Sequence, residues 1–141
     1  MQITGLINAG GEQVLESSLR FAAQRQRLIA HNIANITTPD FRPVDVSPAA
    51  FQKALRAAVD AQRKTGQFTL PTSGQVRGDA RGELTLKPAP STDHVLFHDR
   101  NNRDVESLMR DLAENSTAFR VSADLLRGRV DLVRSAISGR V

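Results

Sequence analysis

The stretch "RLIAHNIANITTPDF", Arg27 to Phe41, decides how the chain is read. Its apolar residues keep helical spacing as far as Ile36. Thr38-Pro39 then ends the helix, because proline steers the residue before it away from helical torsions. The same stripe continues upstream, with Leu15, Leu19, Ala22, Gln26, Ile29, Ile33 and Ile36 separated by alternating steps of four and three. That spacing predicts a helix from Glu12 to about Ile36 with a coiled-coil-like seam. Asn32 and Asn35 share a face near its end, where helical carbonyls lack partners. Two readings of these amides stay open on physics. One is a polar cap, completed by Thr37 and Thr38 in the turn. The other is an interface at which the amides meet backbone or another helix and fix register.

Working outward, Met1 to Gly11 is a glycine-punctuated lead, and Gly10-Gly11 is expected to interrupt any helix arriving from it. After the proline, "FRPVDV" (41–46) reads extended. Ser47-Pro48 then reads as an N-cap with proline at the first helical position. The alanine-rich helix it opens carries Phe51, Leu55, Ala58 and Ala61 along one face and ends at Gly66. From Thr65 to Asn102 glycine and proline recur and apolar residues come in short bursts. "QFTL" (67–70), "GELTLK" (82–87) and "HVLF" (94–97) are candidate strands in a segment that could not fill a core alone. From about Arg103 the helical pattern returns. Val105, Leu108, Leu112, Asn115, Phe119, Ser122, Leu126, Val130, Val133 and Ile137 are three or four apart, with Gly128 the one weak point inside. Some 35 residues of helix extend roughly 50 Å, too long for so short a chain to wrap, so this helix needs a partner.

The expected fold class is therefore mainly α. Long N- and C-terminal helices pair as a coiled-coil-like bundle, a shorter helix follows the first, and the middle is irregular or short-β. The expected division is 1–65, a helical N-terminal region; 66–100, the irregular middle; and 101–141, the long C-terminal helix. The packing stripe is Ile29, Ile33 and Ile36 against Phe119, Leu126, Val130 and Val133, with Leu108, Leu112 and Asn115 continuing the seam.

Composition narrows the function. The chain has 141 residues, a formal charge of +4, no cysteine and aromatics that are all phenylalanine. Absence of cysteine excludes disulfides, thiol catalysis and cysteine-type zinc sites. The basic residues are mostly arginine, scattered and mixed with fifteen acids, so the clustered patch of a nucleic-acid binder is missing. No apolar run approaches the ~18 residues of a membrane span. The N-terminus shows no secretory signal, which on these rules alone predicts a cytoplasmic protein. No convergent catalytic set is visible, so no catalytic or cofactor-binding residue is assigned. His94, His98 and Asp99 have helical ligand spacing in a segment that does not read as helical, so no metal is expected. Arg77-Gly78-Asp79 spells an adhesion tripeptide by letters only.

"AHNIANITTPDF" resembles the signature of the flagellar axial proteins, the rod, hook and hook-associated family. The longer "LRFAAQRQRLIAHNIANITTPDFRPVDV" is similar to the proximal rod subunits within it. The C-terminal stretch resembles the family's second pattern through Asp99, Asn101, Asp104, Glu106 and Asn115, with Phe119 in the aromatic slot. The likeness covers about residues 15–65 and 99–138. After Thr-Pro the family usually has Gly-Tyr where this chain has Asp40-Phe41.

The resemblance implies a non-enzymatic structural subunit of the flagellar rod that takes no cofactor. Asn32, Ile33, Ala34, Asn35, Thr38, Pro39 and Phe41 form its assembly motif. It also implies export, without a cleaved signal, through the flagellar type III apparatus. Assembly then follows in the periplasm as a homo-oligomer with other rod subunits and with the adaptor between rod and export gate. Nucleic acid and membrane insertion are not expected. Another axial subunit, and less so a basic helical nucleic-acid-binding module, are the alternatives.

Overall fold

The computed structural model describes residues 9–72, 74–79, 83–90 and 105–139. In chain order the elements are α1 (Ala9–Asn35), β1 (Val44–Asp45), α2 (Pro48–Thr65), β2 (Val76–Gly78), β3 (Leu84–Leu86), β4 (Ala89–Pro90) and α3 (Val105–Ser138). The long terminal helices pack together, and the small strands form two antiparallel ladders, β1 with β4 and β2 with β3. The expected class holds: mainly α, with a shorter second helix and short β in the middle.

Local chemistry places the helix ends. Ser47 caps α2 by accepting from the Ala50 amide at 3.3 Å. Gly66, at φ 77°, closes it, its N–H donating to the Gln62 carbonyl at 2.8 Å. α1 ends in a turn in which the Phe41 amide donates to the Thr38 carbonyl at 3.2 Å. Pro39 and Asp40 occupy the middle, and Asp40 takes φ 57°. Proline followed by a left-handed residue is the sequence of a type II turn. Asp40 therefore adopts the left-handed conformation that such a turn requires at its third position, one to which glycine is better suited.

Three expectations are corrected. The first helix already includes Ala9 to Gly11, upstream of the expected start at Glu12, and the lead before Ala9 lies outside the described residues. Gly11 faces α3, where a Cβ on it would lie 2.8 Å from an Arg129 guanidinium nitrogen. "QFTL" forms no strand, while β2 and β4 arise where no alternation was visible. "HVLF" lies outside the described residues. On α2 the buried positions are Phe51, Ala54 and Ala58, and Ala61 is exposed.

The core sits between α1, α2 and the strands. Phe21, Val46, Phe51, Ala54, Ala58, Leu70, Val76 and Leu84 form one buried cluster, with Leu28, Leu55, Phe68 and Leu86 packed around it. The rings of Phe21 and Phe51 stack at 4.1 Å, tilted by only 6°. Three of the eight buried members come from the middle segment, so that segment completes a core shared with α1 and α2. No α3 residue belongs to this cluster. α1 is thus two-sided, with one face toward the core and another along α3.

Candidate functional site

The candidate residues gather where α1 ends and along its contact with α3. Asn32, 1% exposed, donates from Nδ2 to the Val44 carbonyl at 2.8 Å and accepts from the Val44 amide at 3.2 Å. Its side-chain amide thereby pairs with the β1 backbone as a neighbouring strand residue would, satisfying both backbone groups of the half-buried Val44. Asn35 behaves differently. It is half-buried and donates to the His31 carbonyl at 2.8 Å, one turn back on its own helix. Its own carbonyl accepts from the Thr38 amide at 2.9 Å. Asn35 caps the helix, as the first reading has it, while Asn32 meets backbone of its own chain across the chain reversal. Phe41 is half-buried with its ring 5.7 Å from that of His31. Ile33 is half-buried, and Ala34, Thr38 and Pro39 are exposed.

A charged cluster braces this reversal. Arg25 is 5% exposed and grips Asp45 of β1 with two nitrogens, Nε to Oδ1 at 3.0 Å and Nη2 to Oδ2 at 2.6 Å. The same Nη2 stands 3.5 Å from Asp111 on α3. Burial pulls the Arg25 pKa down, but the hydrogen bond and charge of Asp45, helped by Asp111, outweigh it and raise the value. One guanidinium therefore ties α1, β1 and α3 together, a bidentate geometry that lysine could not reproduce. Arg25 and Asp45 were not singled out from the sequence. The signal was present: Phe21, Arg25, Leu28 and Asn32 form a second stripe at steps of four, three and four beside the first.

The α1–α3 seam is polar at its centre. Asn115, 3% exposed, donates to the Ala22 carbonyl at 2.9 Å and to Gln26 Oε1 at 2.6 Å. Gln26 donates in turn toward Ser116 at 3.4 Å. Ile29 and Leu108 are buried at 1% and 4%, and Leu112 and Ile36 are half-buried. Arg25 opposite Asp111, Ala22 opposite Asn115 and Gly11 opposite Arg129 show that the helices run antiparallel. This register overturns part of the expected pairing. Ile29, Ile33 and Ile36 lie toward the start of α3, not against Phe119, Leu126, Val130 and Val133. Leu126 and Val133 are half-buried, while Phe119 and Val130 are exposed. A three-four repeat looks the same when slid by a heptad, so spacing alone could not choose the register.

The remaining surface is uneven. Among the described residues every exposed large hydrophobic lies on α3: Val105, Met109, Phe119, Val121, Leu125, Val130, Leu132 and Ile137. Beside them is an open groove of about 520 Å³ between α1, α2 and α3, floored by Phe21, Phe51, Leu55 and Val121. Among the described residues no cluster of metal-ligating side chains occurs and no helix is long and apolar enough to cross a membrane. His94, His98, Asp99, Asn101 and Asp104 lie outside the described residues.

No family model matches the chain. It is 30% identical over 99 residues to the flagellar basal body rod protein FlgB of Borrelia hermsii, across 67% of this chain and 71% of that one. It is 26% identical over 131 residues to the flagellar basal body rod protein FlgB of Bacillus subtilis, across 93% of this chain and 95% of that one.

Proposed function

The chain belongs to the FlgB family of flagellar basal body rod proteins, and from that premise we propose how it acts within the rod. It is a structural subunit of the basal-body rod and assembles with other rod components. The family is not one of known enzymes. Beyond this, the subunit serves the proximal part of a torque-transmitting shaft. It is exported through the flagellar type III apparatus and forms a homo-oligomer that meets the adaptor over the export gate. Asn35, Thr38 and Pro39 present the assembly motif, and the α3 stripe makes the lateral contacts.

The observation that supports this reading best is the placement of all the described exposed large hydrophobics on α3. A 34-residue helix extends about 51 Å. It offers the long, repeated apolar contact that a shaft requires and a small-molecule pocket does not. No comparable feature favours nucleic-acid binding, since the arginines of α3 alternate with acids.

Cross-linking in intact basal bodies tests the proposal. The chain has no cysteine, so Phe119→Cys or Ile137→Cys places a single reactive group. Adducts with rod subunits and the adaptor are expected. Adducts confined to the distal rod would refute the proximal position, and none at all would refute the lateral role of α3.

A further inference from the structure

α2 carries most of the molecule's excess charge. Along Pro48–Thr65 stand four cations, Lys53, Arg56, Arg63 and Lys64, and one acid, Asp60. That is a net charge of +3 in a chain whose formal charge is +4. All five side chains are exposed and follow at steps of three, four, three and one, so they form one stripe about 16 Å long. The opposite side of the helix is spent on the core through Phe51, Ala54 and Ala58.

Nothing among the described residues accounts for this stripe. Its one ion pair there joins Arg63 to Asp60 at 3.9 Å with both side chains exposed, a contact of little energetic weight. Among the described residues Lys53, Arg56 and Lys64 meet no acid within ion-pair distance. Arg63 and Lys64 suit the negative end of the helix dipole in the last turn. Lys53 and Arg56 lie too far from either end to gain from it, and like charges three residues apart repel.

Resting on the rod-subunit reading, we propose that the solvent face of α2 docks an acidic helix of a neighbouring, different rod component, a contact separate from the apolar one on α3. Sign and spacing specify the partner. It presents acids to Lys53 and Arg56, acids to Arg63 and Lys64, and a cation between them to Asp60. Its two acidic groups stand about 13 Å apart along the axis. Ala57, exposed one turn from both Lys53 and Asp60, lets a second helix come close. Other anionic partners fit less well. A lipid surface calls for apolar side chains among the cations, and every exposed large hydrophobic among the described residues lies on α3. A nucleic acid presents phosphates without interruption, so Asp60 would face like charge. A second copy is itself +4, and the exposed acids of its α3 are interleaved with arginines.

The test measures binding of the full chain to two synthetic alanine-based helices. One carries glutamate pairs on either side of a central lysine, spaced to match the stripe, and its twin has glutamate at the centre. The lysine-centred helix is expected to bind, more weakly as salt rises, and about three- to fivefold more tightly than its twin. Lys53→Glu with Arg56→Glu should weaken binding at least about tenfold. Asp60→Lys should reverse the preference between the two helices. Circular dichroism checks that each variant keeps its helix content. The chain has no cysteine of its own, so Ala57→Cys carries a single photo-reactive label into intact basal bodies. The expected adduct joins it to a different rod protein and disappears on the double charge reversal. No binding to either helix, equal binding to both, or tighter binding to duplex DNA or to phosphatidylglycerol vesicles would overturn the proposal. So would an adduct between two copies of this chain. If wild-type chain restores swimming to a strain lacking its rod subunit and the double charge reversal swims equally well, the docking face fails and the rod reading stands. Failure of the wild-type chain would instead overturn the rod reading.

Discussion

Asn32→Ala isolates what the buried amide contributes. The substitution removes two hydrogen bonds, 2.8 and 3.2 Å, to the carbonyl and amide of Val44. At 1% exposure, water cannot replace them without reorganising the chain reversal. A typical internal hydrogen bond contributes about 1 kcal/mol, and an orphaned buried group costs about 1–3 kcal/mol. Relaxation of β1 recovers part of this, so the expected destabilisation is about 2–4 kcal/mol. Asn35→Ala is the internal control. It loses one bond to a carbonyl of its own helix, at a partly exposed site that water reaches, and should cost about 0.5–1 kcal/mol.

Urea unfolding followed by circular dichroism separates the two. With a slope near 2 kcal/mol per molar urea, a loss of about 3 kcal/mol moves the midpoint by about 1.5 M. Asn32→Asp is a useful companion, because it keeps an acceptor for the Val44 N–H but turns a carboxylate oxygen toward the Val44 carbonyl. It should destabilise at least as much as alanine. If Asn32→Ala and Asn35→Ala shift the midpoint equally, the strand-like pairing of Asn32 is not what holds the reversal, and the reasoning fails.

Other outcomes follow from neighbouring geometry. Arg25→Met leaves Asp45 and Asp111 facing each other without their shared cation and should cost about 3 kcal/mol by the same urea assay. The raised pKa of Arg25 makes its contribution complete below its unfolded value and lost only as pH rises through the higher folded one. The Arg25→Met deficit should therefore be the same at neutral and mildly alkaline pH. Gly78→Ala would place a Cβ 2.4 Å from the Leu70 Cβ and 2.9 Å from the Leu70 carbonyl oxygen. It should destabilise by about 1–3 kcal/mol in thermal unfolding, whereas a tripeptide serving only adhesion would leave stability unchanged. Asn35→Ala and Thr38→Ala should impair rod assembly and swimming in complementation more than they reduce helix content. Normal swimming with both would remove the motif from the assembly interface.

Long-range arrangement was harder to foresee than local structure. The α2 ends were legible because Ser47, Pro48 and Gly66 act through their immediate neighbours. The α1 stripe was legible because three heptads repeat it. Strands of two or three residues cannot establish a period, so β2 and β4 left no trace. The middle segment looked unable to form a core because its apolar residues are few. Leu70, Val76 and Leu84 succeed by filling a space whose other walls are Phe21, Phe51 and Ala58, contributed from distant parts of the chain. Arg25 lies on a legible stripe, but the Arg25–Asp45–Asp111 cluster it joins was hidden, because its partners are distant in the chain. Its members are ordinary surface residue types until the fold surrounds them.

The two asparagines of the opening stretch read as one motif in the sequence, but the geometry divides them. Asn32 is spent inside the molecule, with its donor and one acceptor site committed to Val44. Arg25, two stripe positions before Asn32, is committed to Asp45 next to that same strand residue. Together they fix how β1 leaves the end of α1. They thereby set the direction in which Ala34, Thr38 and Pro39 face solvent. A neighbouring subunit that engages this corner would meet the exposed turn and the half-buried Asn35, not Asn32. An inward substitution would disturb assembly by moving the turn, and an outward one by changing what is presented. Stability and assembly measurements on the same variants therefore distinguish the two roles.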